Sequence, residues 1–272
     1  MEFTYFLGMN RFVSKLFYRT QTRLVAADDV VFLNVGYEED PPMAVPLAES
    51  DEPNRFHIQL YHRVATQSDL RGKRVLEVGC GHGGGASYLM RTLHPVSYTG
   101  LDRNRAGIAF CRKAHNLAGV DFVHGDAERL PFPDQSFDAV INIESSGAYP
   151  HFSRFLTEVA RVLRPGGDFL YADLRPSESV ADWEAALAGA PMRMLSSENI
   201  NTQVLLGMEM NTQRIMELID RVPKYLRGVS RQFVGIQGSP FYRAMQGGKY
   251  SFRMYRFSWV EASDLARIIS AS

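Results

Sequence analysis

The chain has 272 residues, 45% hydrophobic and 22% charged, with 30 basic residues balanced against 30 acidic ones. That is enough polypeptide to bury a sizeable core, and the composition excludes intrinsic disorder and the charge excess of a nucleic-acid binder. Cys80 and Cys111 are the only cysteines, which excludes a disulfide framework or a cysteine-rich zinc cluster. The longest stretch without Asp, Glu, Lys or Arg, Val78–Met90, is glycine-rich and falls short of the about 20 apolar residues of a spanning helix. The expectation is a soluble cytoplasmic protein.

Met1–Val25 interleaves aromatics such as Phe3, Tyr5, Phe6, Phe12 and Phe17 with Arg11, Lys15, Arg19 and Arg23. Phe6, Met9, Val13 and Leu16 follow helical spacing, so an amphipathic helix with a basic face is expected. It suits a lid over the active site or, in the alternative, peripheral contact with an anionic membrane. From Asp28 to Glu52 every charge is acidic, and Pro41, Pro42, Pro46 and Pro53 punctuate the run. This predicts an extended, solvated loop rather than a metal site. Ser50 or Asp51 then caps a helix with Phe56, Leu60, Tyr61 and Val64 along one face.

Strands are predicted at Arg74–Gly79, Ser97–Leu101, Val120–Val123, Ala139–Ile143 and Phe169–Ala172. Helices separate them at Ala86–Leu93, Asn104–Leu117 and Phe152–Leu163. Such alternation implies an α/β fold with a doubly wound, mostly parallel sheet. Beyond Pro176, Ala181–Leu187 and Asn199–Ile219 read as helices. Gln232–Ile236 and Tyr250–Trp259 read as an antiparallel strand pair completing seven strands. The expected organisation is an N-terminal lid (1–69), a core (70–175), a helical insertion (176–230), the C-terminal strand pair (231–260) and a tail (261–272). Met192, Met194, Met208, Met210 and Met216 in the insertion suit a flexible apolar pocket.

Between the first strand and its helix runs Gly79-Cys80-Gly81-His82-Gly83-Gly84-Gly85. Glycines let the backbone turn tightly and approach a ligand, and Asp102, ending the second strand, is placed to take ribose hydroxyls. Gly79-x-Gly81-x-x-Gly84 fits the dinucleotide fingerprint, so the loop alone does not separate a nicotinamide cofactor from another nucleoside.

Further segments follow in fixed order: Glu77 before the glycines, Gly125-Asp126-Ala127, Leu130-Pro131-Phe132, Ser136-Phe137-Asp138 and Leu163-Arg164-Pro165-Gly166-Gly167. Together they closely resemble class I S-adenosylmethionine-dependent methyltransferases, from about Leu70 to Asp173. The resemblance implies a Rossmann-like seven-stranded fold, S-adenosyl-L-methionine as cofactor and no metal. It implies that the glycine loop passes the methionine part, Asp102 binds the ribose, and Asp126 with Ala127 flanks the adenine. The implied cofactor-binding set is Glu77, Gly79, Cys80, Gly81, Gly83, Asp102, Arg103, Asp126, Ala127 and Asn142.

A narrower resemblance, carried by Tyr37-Glu38-Glu39-Asp40-Pro41-Pro42, Ser50–Arg55, Cys80–Tyr88 and Tyr171–Pro176, is to the mycobacterial lipid and glycolipid O-methyltransferases. It implies a lipidic small-molecule acceptor and makes Tyr37–Asp40 part of the lid. Those relatives tend to carry a histidine where this chain has Gly147, oriented by an acid corresponding to Asp173. His151, starting the helix after the fourth strand, is the best-placed remaining base, with Asp173 to orient it. The expectation is methyl transfer to a lipid hydroxyl, with fatty-acid carboxyl methylation as the alternative because a carboxylate needs no base. The rivals are a cofactor-binding module without catalysis and a nicotinamide oxidoreductase. Oligomeric state is not readable.

Overall fold

The computed structural model describes residues 30–221, 227 and 235–259. The lid and membrane-contact expectations for Met1–Val25 lie outside the described residues, as do residues 232–234 and the tail. Seven strands form one sheet: β1 (Arg74–Val78), β2 (Ser97–Asp102), β3 (Val120–His124), β4 (Phe137–Ile143), β5 (Leu163–Pro176), β6 (Arg193–Asn199) and β7 (Tyr250–Ser258). Their order is β3-β2-β1-β4-β5-β7-β6. The pairs up to β5 are parallel, and β7 runs antiparallel to both β5 and β6.

Helices α1 (Arg55–Ala65), α2 (Gly84–Leu93), α3 (Arg105–Ala114), α4 (Phe152–Val162), α5 (Val180–Ala188), α6 (Asn201–Arg221) and α7 (Pro240–Gln246) cover the sheet. Val75 alternates with Leu76 along β1, and each faces a different core. One core gathers Ile58, Leu60 and Val64 of α1 with Leu89, Ile108 and Met208; the other gathers Phe155, Leu156 and Val159 of α4 with Trp183 and Leu187 of α5. Burial of α4 at Phe155, Leu156, Val159 and Ala160 follows the helical repeat, while Arg154 and Thr157 stay exposed. Asn104 caps α3, its side chain accepting the Ala106 N–H at 3.1 Å.

Several local expectations are corrected. The partner of β7 is Arg193–Asn199, inside the expected helical insertion, whereas Gly235 and Ile236 are not in a strand. The long helix α6 therefore lies between the last two strands, not before them. The segment before β7 contains α7, capped by the Ser239 hydroxyl. The Pro165-Gly166-Gly167 segment sits within β5, where the register with β4 shifts. Asp51 makes no capping bond; its carboxylate pairs with Arg91 at 2.9 Å.

The acidic segment is not a solvated loop throughout. Glu38 is buried and accepts from Met43 N–H at 2.8 Å and Gln59 Nε2 at 3.0 Å, while Glu39 pairs with Arg63 of α1. A carboxylate so enclosed is tolerated because donors surround it. The backbone nearby also reaches the glycine loop: Gly84 N–H bonds Val31 O at 3.0 Å.

Candidate functional site

Strands β1 and β4 are neighbours whose following chains leave toward opposite edges of the sheet, which opens a crevice at their carboxyl ends. The glycine loop fills one wall. Gly79 lies at φ +80, and a Cβ there would stand 2.1 Å from Ser145 Oγ, so only glycine lets the loop meet the end of β4. Gly83, also left-handed, is the N-cap of α2. Cys80 is buried, and the Cys111 thiol donates to Gly81 O at 3.4 Å. Its hydrogen bond with Cys111, with burial, raises the Cys80 thiol, so it packs rather than reacts.

Asp102 closes the other wall from the end of β2. Its Oδ2 accepts Gly81 N–H at 3.0 Å and its Oδ1 accepts Asn104 N–H at 2.7 Å. Burial still pushes this carboxyl above the usual aspartate range, against the pull of those donors. Asn142, fully buried on β4, donates through Nδ2 to Val78 O at 2.7 Å and to Ser145 Oγ at 2.8 Å. Its Oδ1 is buried with no partner among the described residues. Tyr149 completes the cluster, its hydroxyl 2.7 Å from Ser145 Oγ.

The structure thus brings Gly79, Gly81, Asp102 and Asn142 together at the strand ends, with Cys80 packed behind the loop and Gly83 against His115 and Phe122. Ala127 is buried and Asp126 exposed just beyond β3, whose end is tied to Asp102 by a Gly125 N–H bond of 3.1 Å. Arg103 is exposed beside Asp102. Glu77 sits beneath the loop instead of lining it. Its two oxygens accept the Tyr61 and Tyr98 hydroxyls at 2.8 and 2.9 Å, and burial raises its carboxyl to about 7 against those bonds.

The expected base and its orienting acid are not joined. His151 is 64% exposed in its side chain, and its Nδ1 lies 2.8 Å from Glu128. Asp173 is buried and already saturated. It accepts Ser146 Oγ–H at 2.6 Å, Gly147 N–H at 3.2 Å and Leu174 N–H at 2.8 Å, and it pairs with Arg175 at 3.2 Å. Arg175, itself buried, lies 4.7 Å from the Trp183 ring centre. A Cβ on Gly147 would stand 3.3 Å from Arg175 Nη1, so the guanidinium occupies the space beside the position where a histidine is expected.

Sequence reasoning passed over Glu144. This residue follows β4 at φ +48, a left-handed conformation that costs a non-glycine residue about 1–3 kcal/mol. Its N–H keeps the ladder bond to Ala172 O at 2.9 Å, and its Oε1 accepts the Val35 N–H at 3.0 Å. Burial raises the carboxyl to about 8, opposed by the Val35 bond and reinforced by Asp173. An acid ending an otherwise apolar strand was the available signal, the same one that marked Asp102.

The family described as "Methyltransferase domain" matches residues 76–171. The phthiotriol/phenolphthiotriol dimycocerosates methyltransferase of Mycobacterium tuberculosis is 60% identical over 247 residues, covering 90% of this chain and 92% of that protein. A fatty-acid O-methyltransferase of Mycolicibacterium smegmatis is 58% identical over 244 residues, 89% of this chain and 88% of that protein. Among solved structures, geranyl diphosphate C-methyltransferase from Streptomyces coelicolor, in complex with Mg2+, geranyl diphosphate and S-adenosyl-L-homocysteine, superposes with a TM-score of 0.61. At 15% identity it covers 90% of this chain and 98% of that one, and it shares the fold. With a methyltransferase core at the switch point and such identity along nine-tenths of its length, the chain is an enzyme of the mycobacterial lipid methyltransferase family.

Proposed function

We propose that the enzyme methylates a hydroxyl oxygen of a long-chain lipid or glycolipid, with S-adenosylmethionine as donor. The observation that carries the donor is the unpartnered Asn142 Oδ1 beside the glycine loop, with the Asp102 carboxylate, disfavoured as an anion by its burial, on the loop's other side. A ligand with vicinal hydroxyls at one part and an ammonium at another fits both, with the glycine backbone between them. In this reading Asp102 takes the ribose hydroxyls, Asn142 the ammonium, and Asp126 with Ala127 the adenine. When bound, the donor supplies an electrophilic methyl carbon on a sulfonium.

What the chain contributes is alignment and exclusion of water. Charge is dispersed rather than created in such a displacement, so a positioned acceptor oxygen in a dry crevice accounts for most of the acceleration. The lipid acceptor follows the relatives' chemistry, since the phthiotriol/phenolphthiotriol dimycocerosates relative is named for a triol. A second reading, esterification of a fatty carboxylate, is favoured by Gly147 standing where a histidine is expected and by the 58%-identical fatty-acid O-methyltransferase. The test is mass spectrometry of lipid extracts incubated with enzyme and isotope-labelled donor. A labelled product that survives mild alkali is the ether expected of a hydroxyl acceptor, whereas an alkali-labile product is the ester of the second reading.

A further inference from the structure

A lipid hydroxyl holds its proton at neutral pH, so the hydroxyl reading needs a group to receive it. His151 is exposed and engaged by Glu128, and every donor-facing position of Asp173 is taken. Tyr149 is raised by burial further from ionisation than a free phenol. His57 is sealed between Asn34 and Asn211, away from the crevice wall formed by β4.

One acid remains at the carboxyl end of β4. Glu144 lies between Ile143, the last strand residue, and Ser145, which touches Gly79 of the donor loop. Its left-handed backbone turns the side chain out of the strand's alternation toward the Val30–Glu38 segment, where Val35 N–H fixes Oε1. The Val35 N–H is the hydrogen bond its side chain receives among the described residues, and among them no lysine or arginine pairs with it. We propose, resting on the hydroxyl reading above, that Glu144 is the general base for methyl transfer.

The groups facing it are Asp173 from β5 and the Tyr61 hydroxyl from α1, neither of which neutralises a carboxylate. The consequence is a proton affinity matched to the task. A carboxyl held at about 8 by burial takes up a proton far more readily than an ordinary glutamate. The left-handed backbone is maintained because the Ala172 and Val35 bonds hold the residue from both ends. In the step itself, the acceptor oxygen forms its bond to the methyl carbon while its proton passes to Glu144 Oε2. The electron pair of the broken carbon–sulfur bond stays on sulfur, leaving a neutral thioether, a methyl ether and a protonated Glu144 that returns its proton to water.

The experiment compares wild type with Glu144→Gln and Glu144→Asp, using a phthiotriol dimycocerosate preparation as hydroxyl probe and palmitate as carboxylate probe. In Glu144→Gln, kcat on the hydroxyl probe falls by about 10²–10⁴ while donor affinity by calorimetry and acceptor KM stay nearly unchanged. Wild-type kcat/KM rises with pH to a plateau above about 8, and that limb vanishes in the glutamine variant. Glu144→Asp retains part of the rate and the limb. Infrared titration of the unloaded wild type shows a protonated-carboxyl band disappearing near the same pH, and that band is missing when Glu144→Gln is titrated. Full kcat in Glu144→Gln, persistence of the limb, or no Glu144-dependent band overturns the base. A wild type that esterifies palmitate and leaves the hydroxyl probe untouched overturns the hydroxyl reading and, with it, the need for the base.

Discussion

Replacing Asp102 by asparagine separates binding from folding at one position. The aspartate is held above its usual range by burial, so the folded chain keeps its proton to higher pH than the unfolded one. Stability therefore falls as pH rises through the window between the two ionisations, and above it the carboxylate is a net expense to the unloaded fold. Asparagine keeps one oxygen for the Asn104 or Gly81 N–H and removes the charge. One charge-assisted bond is lost and the desolvation cost disappears, so the unfolding free energy at neutral pH changes by no more than about 1 kcal/mol. Donor binding behaves differently. The ribose hydroxyls lose an ionised acceptor worth about 1.5–3 kcal/mol, a roughly 10- to 100-fold weaker affinity. Calorimetric titration with S-adenosylmethionine, paired with urea unfolding at pH 5 and pH 8, reads both quantities. Unchanged affinity removes Asp102 from the donor site. A stability loss above about 3 kcal/mol shows that the carboxylate belongs to the scaffold instead.

Glu77→Gln flattens the pH dependence of stability. In the wild type a buried carboxyl raised to about 7 makes stability fall between the ordinary glutamate range and neutrality, by up to about 3 kcal/mol, and urea midpoints across that range reveal the slope or its absence. Gly85→Ala puts a Cβ 2.0 Å from Tyr61 Cε1, which forces α1 away from α2 and lowers the unfolding free energy by about 3 kcal/mol in thermal or urea melts. Arg175→Met leaves Asp173 buried without its cation and costs about 3–5 kcal/mol in urea unfolding, most of it recovered when Asp173→Asn is added.

β1 and β4 were legible because central strands of a parallel sheet, buried on both faces, read as short apolar runs between glycines and helices. β6 was not. Arg193–Ser197 are all exposed, no alternation marks them, and the strand exists because β7 offers an edge more than fifty residues later. The meeting of the glycine loop with the end of β2 was legible for a similar reason: Gly81 and Asp102 join through backbone close to each in sequence. His151 was correctly placed at the start of α4, but its surroundings depend on Glu128, brought in from the segment after β3. Glu144 was hidden by a backbone angle and by a partner, Val35, 109 positions away.

That partner has a wider consequence. Between Val31 and Val35, a single stretch of main chain accepts the Gly84 N–H of the donor loop and donates to the Glu144 carboxylate. A ligand that shifts this stretch changes the environment of both walls at once. Donor and acceptor affinities are then thermodynamically linked, and the linkage is reciprocal: whatever factor the donor adds to acceptor binding, the acceptor returns to the donor.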